Sequence, residues 1–318
     1  FRAAILGPPS LPLQSRAKDS AFHANHQRLH EDPLIAIPEY TSVPPHVVEV
    51  VPSPAEEELR ELLESALIGL PLLPEAASRA IELVESPNAD LGHLSDLIGS
   101  DPPIAARFLS VANSALYSRG REVPSIHDAL VRIGLSGSRD LLLQIVYACS
   151  SVGLTHFGPQ VRRSYHRAVV CGVVARAACS ELGIRYKDAY LIGLLHDLGE
   201  ARVYRLLDRL AKPPSAVEAA LLVDRYHTEA GEDIARAWKL PQDVVDVCGS
   251  HHRHRLDESL SVRLVQIADL LAPSVIAETE ERVPDEPLEL GELGLLGVSG
   301  EDAAAIIEHA VDLLSPNA

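Results

Sequence analysis

From Pro54 onward, apolar residues recur every three to four positions, in segments separated by proline, glycine and small polar residues. That period is the signature of amphipathic helices. "SPAEEELRELLESAL" predicts a helix capped by Ser53, with Pro54 in the first turn, acids early and leucines at helical spacing. "PEAASRAIELVES" predicts the next, ending at Pro87. Asp90 and Asp101 are the expected caps of "LGHLSDLIGS" and "PPIAARFLSVANSALYS", the latter with Pro102 in its first turn. Ser125, with Asp128 three residues on, resembles a capping box, and Gly134 reads as that helix's stop. "SGSRDLLLQIVYACSSV" is more fully apolar and is expected to be central. The second half predicts helices over about 159–182, 186–197, 200–210, 214–223, 225–238, 241–249 and 258–272. About 285–314 reads as one or two acidic amphipathic helices.

The expected fold is therefore all-α. Neither alternating strands nor a glycine-rich phosphate loop is found from Pro54 on, and "GPPSLPLQS" lacks the Gly-Lys-Ser/Thr of a P-loop. Residues 1–52 are rich in Pro, Ser and His and have no sustained helical period. They read as an extended tail with one short strand, "HVVEVV". The histidines there, His23, His26, His30 and His46, read as solvated. The expected divisions are a tail over 1–52, a helical body over 53–272 with lobes at 53–155 and 156–272, and an acidic helical tail over 273–318.

Composition adds limits. Hydrophobic residues are 47% of 318 and aromatics only 4%, so the core must be built from Leu, Val, Ile and Ala. The net charge of −17 argues against nucleic acid or an anionic membrane as a general partner. From Ala272 to the end, eleven acids face one basic residue, Arg282. Cys149, Cys171, Cys179 and Cys248 form no CxxC pair and read as buried free thiols of a reducing compartment. The start, "FRAAILGPPS", shows no signal pattern, and the apolar runs are too broken for a membrane span. A cytoplasmic protein is expected.

Polar residues interrupt the apolar helices of the second half at a few points. They are His166, His196-Asp197, His227, His251-His252 and Asp269. Each lies where an unpartnered polar group would be costly to bury. Five imidazoles and two carboxylates without thiolates suit Fe, Mn, Zn, Co or Ni in a mono- or dinuclear site. Two such ions could activate water and stabilise charge on a phosphoryl group. His254 lies in the charged run "RHRLDE" and is left out of the set.

The order His … His-Asp … His … His-His … Asp resembles the HD superfamily of helical metal-dependent phosphohydrolases. There the first His, the His-Asp pair and the last Asp hold one metal, and the histidines between help to hold a second. The matching positions are His166, His196, Asp197 and Asp269, then His227, His251 and His252. The first half sharpens the resemblance. Leu70-Pro71, Pro74, Asp101-Pro102, Asn113-Ser114, Ser125-Ile126, Ala129 and Gly134 are similar to the HDOD domain, a bacterial signalling module related to HD enzymes. So are Leu195-His196-Asp197-Leu198-Gly199 and Trp238-Lys239-Leu240-Pro241. The likeness runs from about Leu67 to Asp269. It implies a two-lobed bundle, with HDOD-specific helices packed on an HD-type core.

Two departures matter. The enzymes of this superfamily that cleave cyclic di-GMP carry a Lys after the glycine of the His-Asp motif and a Glu after the paired histidines, with a Gly-Tyr-Pro motif. This chain has Glu200 and Arg253 at those positions and no Gly-Tyr-Pro. A carboxylate repels a phosphate dianion where a lysine would attract it. The expected function is thus a regulatory protein acting through contacts with signalling proteins, with a metal site and room for a nucleotide ligand. The alternative is a metal-dependent phosphohydrolase acting on a nucleotide or phosphate ester, in which Arg202, Arg205 or Arg253 would contact phosphate if not merely solvated. An iron oxygenase is a third, remote reading.

Overall fold

The structure, a computed structural model, describes residues 52–64, 75–86, 89–114, 117, 120–253, 259–280, 282–284, 288 and 290–315. The expected strand and histidines of the N-terminal tail lie outside these, as do Leu70-Pro71, Pro74 and His254. The described chain is all-α, with no strand among its residues. An N-terminal group comprises α1 (Pro54–Leu63), α2 (Glu75–Glu85), α3 (Leu91–Gly99), α4 (Pro102–Ala112) and α5 (Ile126–Cys149). A second group comprises α6 (Gly158–Glu181), α7 (Ala189–Leu195), α8 (Leu198–Leu207), α9 (Ala216–Ala237), α10 (Gln242–Ser250) and α11 (Leu260–Thr279). The chain closes with α12 (Leu290–Leu295) and α13 (Gly300–Leu314).

The caps act as the sequence implies. Ser53, Asp90, Asp101 and Ser125 each accept a hydrogen bond from a first-turn amide, satisfying donors that a helix start leaves free. Gly134 takes φ 77°, a left-handed conformation that breaks α5 into two straight pieces. Asn113 closes the loop before α5, donating to Val123 O at 3.0 Å and accepting from Val123 N at 2.7 Å.

Two expectations change. The predicted helices 214–223 and 225–238 are one helix, α9, because Leu222, Val223, His227, Ala230 and Ile234 keep a single face buried across Asp224. The helix expected over 258–272 runs on through Pro273 to Thr279. Proline lacks only the amide that would reach the carbonyl four residues back, and packing holds the rest. That carbonyl belongs to Asp269.

One core of Leu, Val, Ala, Ile and Cys lies among α6, α7, α10 and α11, and α13 adds Ala303, Ile306 and Ala310 to it. A second packs α2–α4 on α5, around Leu94, Ile98, Phe108 and Leu142. Trp238 and Ile81 touch both. α11 is long and apolar enough to cross a membrane, but 61% of its apolar window is buried, as befits a core helix.

Polar pegs pin the pieces. The Asp208 carboxylate accepts from the amides of Thr155, His156 and Phe157 at 2.6–3.0 Å, capping α6 from another part of the chain. Arg202 is wholly buried. It donates to Asp233 Oδ2 at 3.0 Å and to Leu63 O at 3.3 Å, tying α8 to α9 and α1. Arg202 is thus neither solvated nor turned to a ligand. Arg205 is spent on the carbonyls of Ser150 and Val152.

The α7–α8 corner meets α9 at Gly199. A Cβ there would lie 1.8 Å from the backbone oxygen of His227 and 2.5 Å from the amide nitrogen of Gly231. Backbone cannot give way as a flexible side chain can. Gly199→Ala is expected to destabilise the fold by about 3 kcal/mol or more, beyond ordinary overpacking, measured as a fall in the urea midpoint. A change below about 1 kcal/mol would show that the two helices are not in this contact.

Candidate functional site

The residues from Leu191 to Leu198 are all buried, and they deliver His196 and Asp197 into the interior where α7 ends and α8 begins. Asp197 is the hub. Its Oδ2 lies 3.0 Å from His196 Nε2, while Oδ1 lies 3.1 Å from His251 Nε2 and 3.6 Å from His227 Nε2. His252 Nε2 is 3.0 Å from His227 Nε2. On the far side of His196, its Nε2 is 3.6 Å from Asp269 Oδ1.

The tautomers follow from the backbone. His196 Nδ1 faces Gly193 O at 2.8 Å, His227 Nδ1 faces Val223 O at 2.9 Å, and His251 Nδ1 faces Val247 O at 2.9 Å. A carbonyl only accepts, so each Nδ1 carries a proton and Nε2 is the nitrogen each ring turns toward Asp197, free to ligate once it carries no proton. His196 and His251 sit at the C-terminal caps of α7 and α10, where last-turn carbonyls have no helical partner. Helix ends therefore fix the ring orientation.

Two donor groups result. Asp197, His227, His251 and His252 offer ligand atoms within 4.8 Å of one another, as do Cys171, His196 and Asp269. Asp197 turns one oxygen to the first group and the other to His196 of the second, the disposition of a carboxylate that spans two ions. Asp197 Oδ1, His196 Nε2 and His251 Nε2 are buried without a hydrogen bond. Buried polar atoms are seldom left so. Convergent lone pairs of imidazole and carboxylate fit a divalent transition metal.

Electrostatics agrees. Burial alone would push Asp197 up and His196 down. Their mutual attraction outweighs it, holding the carboxyl well below and the imidazole well above their usual ranges. Partial burial, with His251 and His227 alongside, pulls His252 down to about 4.

Of the seven residues singled out from the sequence, six lie in these groups and His166 does not. His166 is exposed and lines an open cavity of about 600 Å³ beside the centre. On α6 it is Arg167 that reaches Asp269, through Nη2 at 2.7 Å and Nε at 3.1 Å. Cys171 follows one turn later, its Sγ 3.9 Å from the same oxygen. Positions i and i+4 share a helix face, and His166 is turned about 100° from Arg167. Cys171 was read only as a buried thiol; its place one turn after Arg167 is the signal that could have flagged it. Burial pushes it up to about 12, so a metal would have to displace its proton. Glu200 lines the same cavity with Arg162, Arg163 and Arg167. Burial first, then Asp197, raises its carboxyl to about 7.

Known proteins agree with this architecture. An HDOD domain protein of unknown function from Geobacter sulfurreducens superposes with a TM-score of 0.54 at 21% identity, covering 80% of this chain and 88% of that one. A candidate metal-dependent phosphohydrolase from Shewanella amazonensis gives 0.54 at 23%, covering 80% and 99%. At such identities the likeness concerns the fold. An uncharacterised protein of Treponema pallidum is 26% identical over 196 residues, 57% of this chain and 37% of that protein. Ribonuclease Y of Desulfotalea psychrophila is 32% identical over 119 residues, 37% and 19% respectively. The chain thus spans well under half the length of these curated relatives. The HDOD domain family matches residues 70–254, which contain α2 to α10 and every donor but Asp269. With that match over more than half its length, the chain belongs to the HDOD domain family.

Proposed function

We propose that this chain is a cytoplasmic regulatory protein whose His/Asp centre binds a divalent metal that stabilises and poises the domain, with output through contacts with signalling proteins. The observation that carries this reading is at Asp269. There an arginine, not the first histidine of an HD enzyme, faces the last aspartate, while His166 points into the cavity. Arg167 neutralises the carboxylate that a catalytic metal pair would need. Glu200 adds a carboxyl where an approaching phosphate would meet it.

A second reading, a metal-dependent phosphohydrolase of a nucleotide or phosphate ester, has its own support. Arg162, Arg163 and Arg167 line the cavity with His166, and several relatives carry the name of a ribonuclease. A bound metal would supply activated water there, and the arginines would hold the phosphate.

Metal analysis of the untagged chain, paired with a phosphodiesterase and phosphatase panel, tests both. The expected result is bound metal that raises the melting temperature, is lost in the isosteric Asp197→Asn, and brings no turnover of bis-p-nitrophenyl phosphate. Turnover with added Mn²⁺ or Fe²⁺ that Asp197→Asn abolishes would establish the second reading instead. No metal after reconstitution would sink both.

Glu200 gives a pH signature in the chelator-treated protein. Its folded-state pKa is raised, from 4.5 to about 7. As pH climbs through that window the unfolded chain releases this proton first, so stability falls. Glu200→Gln is expected to remove that part of the slope and to be more stable than wild type above pH 7, read from urea midpoints at pH 5 to 8. Parallel wild-type and variant profiles would place Glu200 in a solvated setting.

A further inference from the structure

A second cavity lies away from the His/Asp groups, between the N-terminal helices and α6–α7. It encloses about 480 Å³ and takes in Arg107 of α4, Asp140 of α5, Arg176 of α6 and Tyr190 of α7. A recess of about 390 Å³ shares Tyr117, Asp140, Arg176 and Tyr190 with it and adds Lys187. The two adjoin along these side chains, and the larger has the size that small-molecule sites occupy.

Its chemistry is selective. Arg107 and Arg176 are exposed, and neither makes a hydrogen bond or ion pair among the described residues. They come from different lobes and face one space. The nearby acid, Asp140, shares Arg139 (3.0 Å) with Asp188 (2.8 Å) and also feels the charge of Arg176. Arg107 and Arg176 thus keep their hydrogen-bond donors for a ligand, and Asp140 keeps acceptor capacity for an amino group. Tyr117 and Tyr190 present phenol rings whose hydroxyls make no hydrogen bond among the described residues. Apolar wall is supplied by Val169 and Val173. Two guanidinium groups for phosphate, tyrosine rings for stacking and one carboxylate acceptor form the recognition set of a base carrying a phosphate.

We propose that this interlobe cleft binds a nucleotide. The site is separate from the metal centre, and the proposal stands whichever reading of that centre is right. The two are nonetheless mechanically joined. Tyr190 lies on α7 six residues before His196, about 9 Å along the helix. Its ring lies against α6 so closely that a Cβ on Gly172 would come within 2.9 Å of it. A nucleotide drawing Arg107 and Arg176 together would press on the helix that delivers His196 and Asp197.

Calorimetric titration of the full chain, with chelator present, tests the proposal using AMP, GMP and inorganic phosphate as probes. At least one mononucleotide is expected to bind at about 100 µM or tighter, and phosphate at least about tenfold more weakly. Arg107→Ala and Arg176→Ala should each weaken the nucleotide about tenfold or more, with melting temperatures little changed because neither side chain makes a hydrogen bond or ion pair among the described residues. Arg121→Ala, at an exposed arginine before α5 that does not line the cleft, should leave binding unaltered. The proposal is overturned if neither nucleotide saturates the protein by about 1 mM, or if phosphate binds as well as the nucleotides do. It is equally overturned if Arg107→Ala and Arg176→Ala leave nucleotide binding unchanged.

Discussion

The second lobe is organised around a negative charge buried in an apolar interior. Asp197 is 6% exposed and sits between the ends of two helices lined with leucine and alanine. An isolated carboxylate there would be expensive enough to protonate or to expel itself. It stays ionised because His196, which takes up a proton beside it, and then His251 offset its charge. Rings from α7, α9 and α10 can close on it only because the backbones come unusually near, with Gly199 directly against His227. Packing and charge are one constraint here: the glycine sets the distance at which the histidines can serve the aspartate.

The imidazoles are themselves held by the helix geometry. Each spends its Nδ1 proton on a carbonyl three or four residues back, two of them at helix ends where such carbonyls are free. The Nε2 atoms then point inward as a matter of local structure. A metal would need no tautomeric change at these rings, only the removal of the proton that His196 takes up beside Asp197. This is why the cluster looks preorganised although its parts come from four separate stretches of sequence.

Much of this was legible in the chain. Caps at Ser53, Asp90, Asp101 and Ser125, and the break at Gly134, followed from local chemistry that needs no tertiary contact. Six of the seven residues singled out because imidazoles and carboxylates stand out on apolar faces come together, whereas His166 lies outside the groups and Cys171 gave no such signal. Three further things were not legible. The continuity of α9 across Asp224 depends on a buried face that the exposed aspartate conceals. The extension of α11 past Pro273 depends on packing that overrides a local breaker. The burial of Arg202 depends on Asp233 and Leu63, whose approach only the fold reveals.

The rotation of α6 is the subtlest of these effects and bears most on chemistry. His166 and Arg167 are neighbours in sequence but point about 100° apart. With Val161, Ser164, Ala168, Cys171 and Ala175 buried, the helix turns Arg167 toward Asp269 and leaves His166 to the cavity. The guanidinium and a metal ion would compete for one carboxylate oxygen. Asp269, held down to about 2 with His196 and Arg167 as its cationic partners, is fully available as an anion to whichever cation takes it. A metal at His196, Asp269 and Cys171 would therefore have to displace Arg167 from Asp269. The group around His227, His251 and His252 has no such competitor, since no arginine or lysine is paired with Asp197 among the described residues. The two halves of the centre thus differ in kind. One is poised to take an ion directly, and the other is gated by an arginine on the helix that also forms a wall of the interlobe cleft.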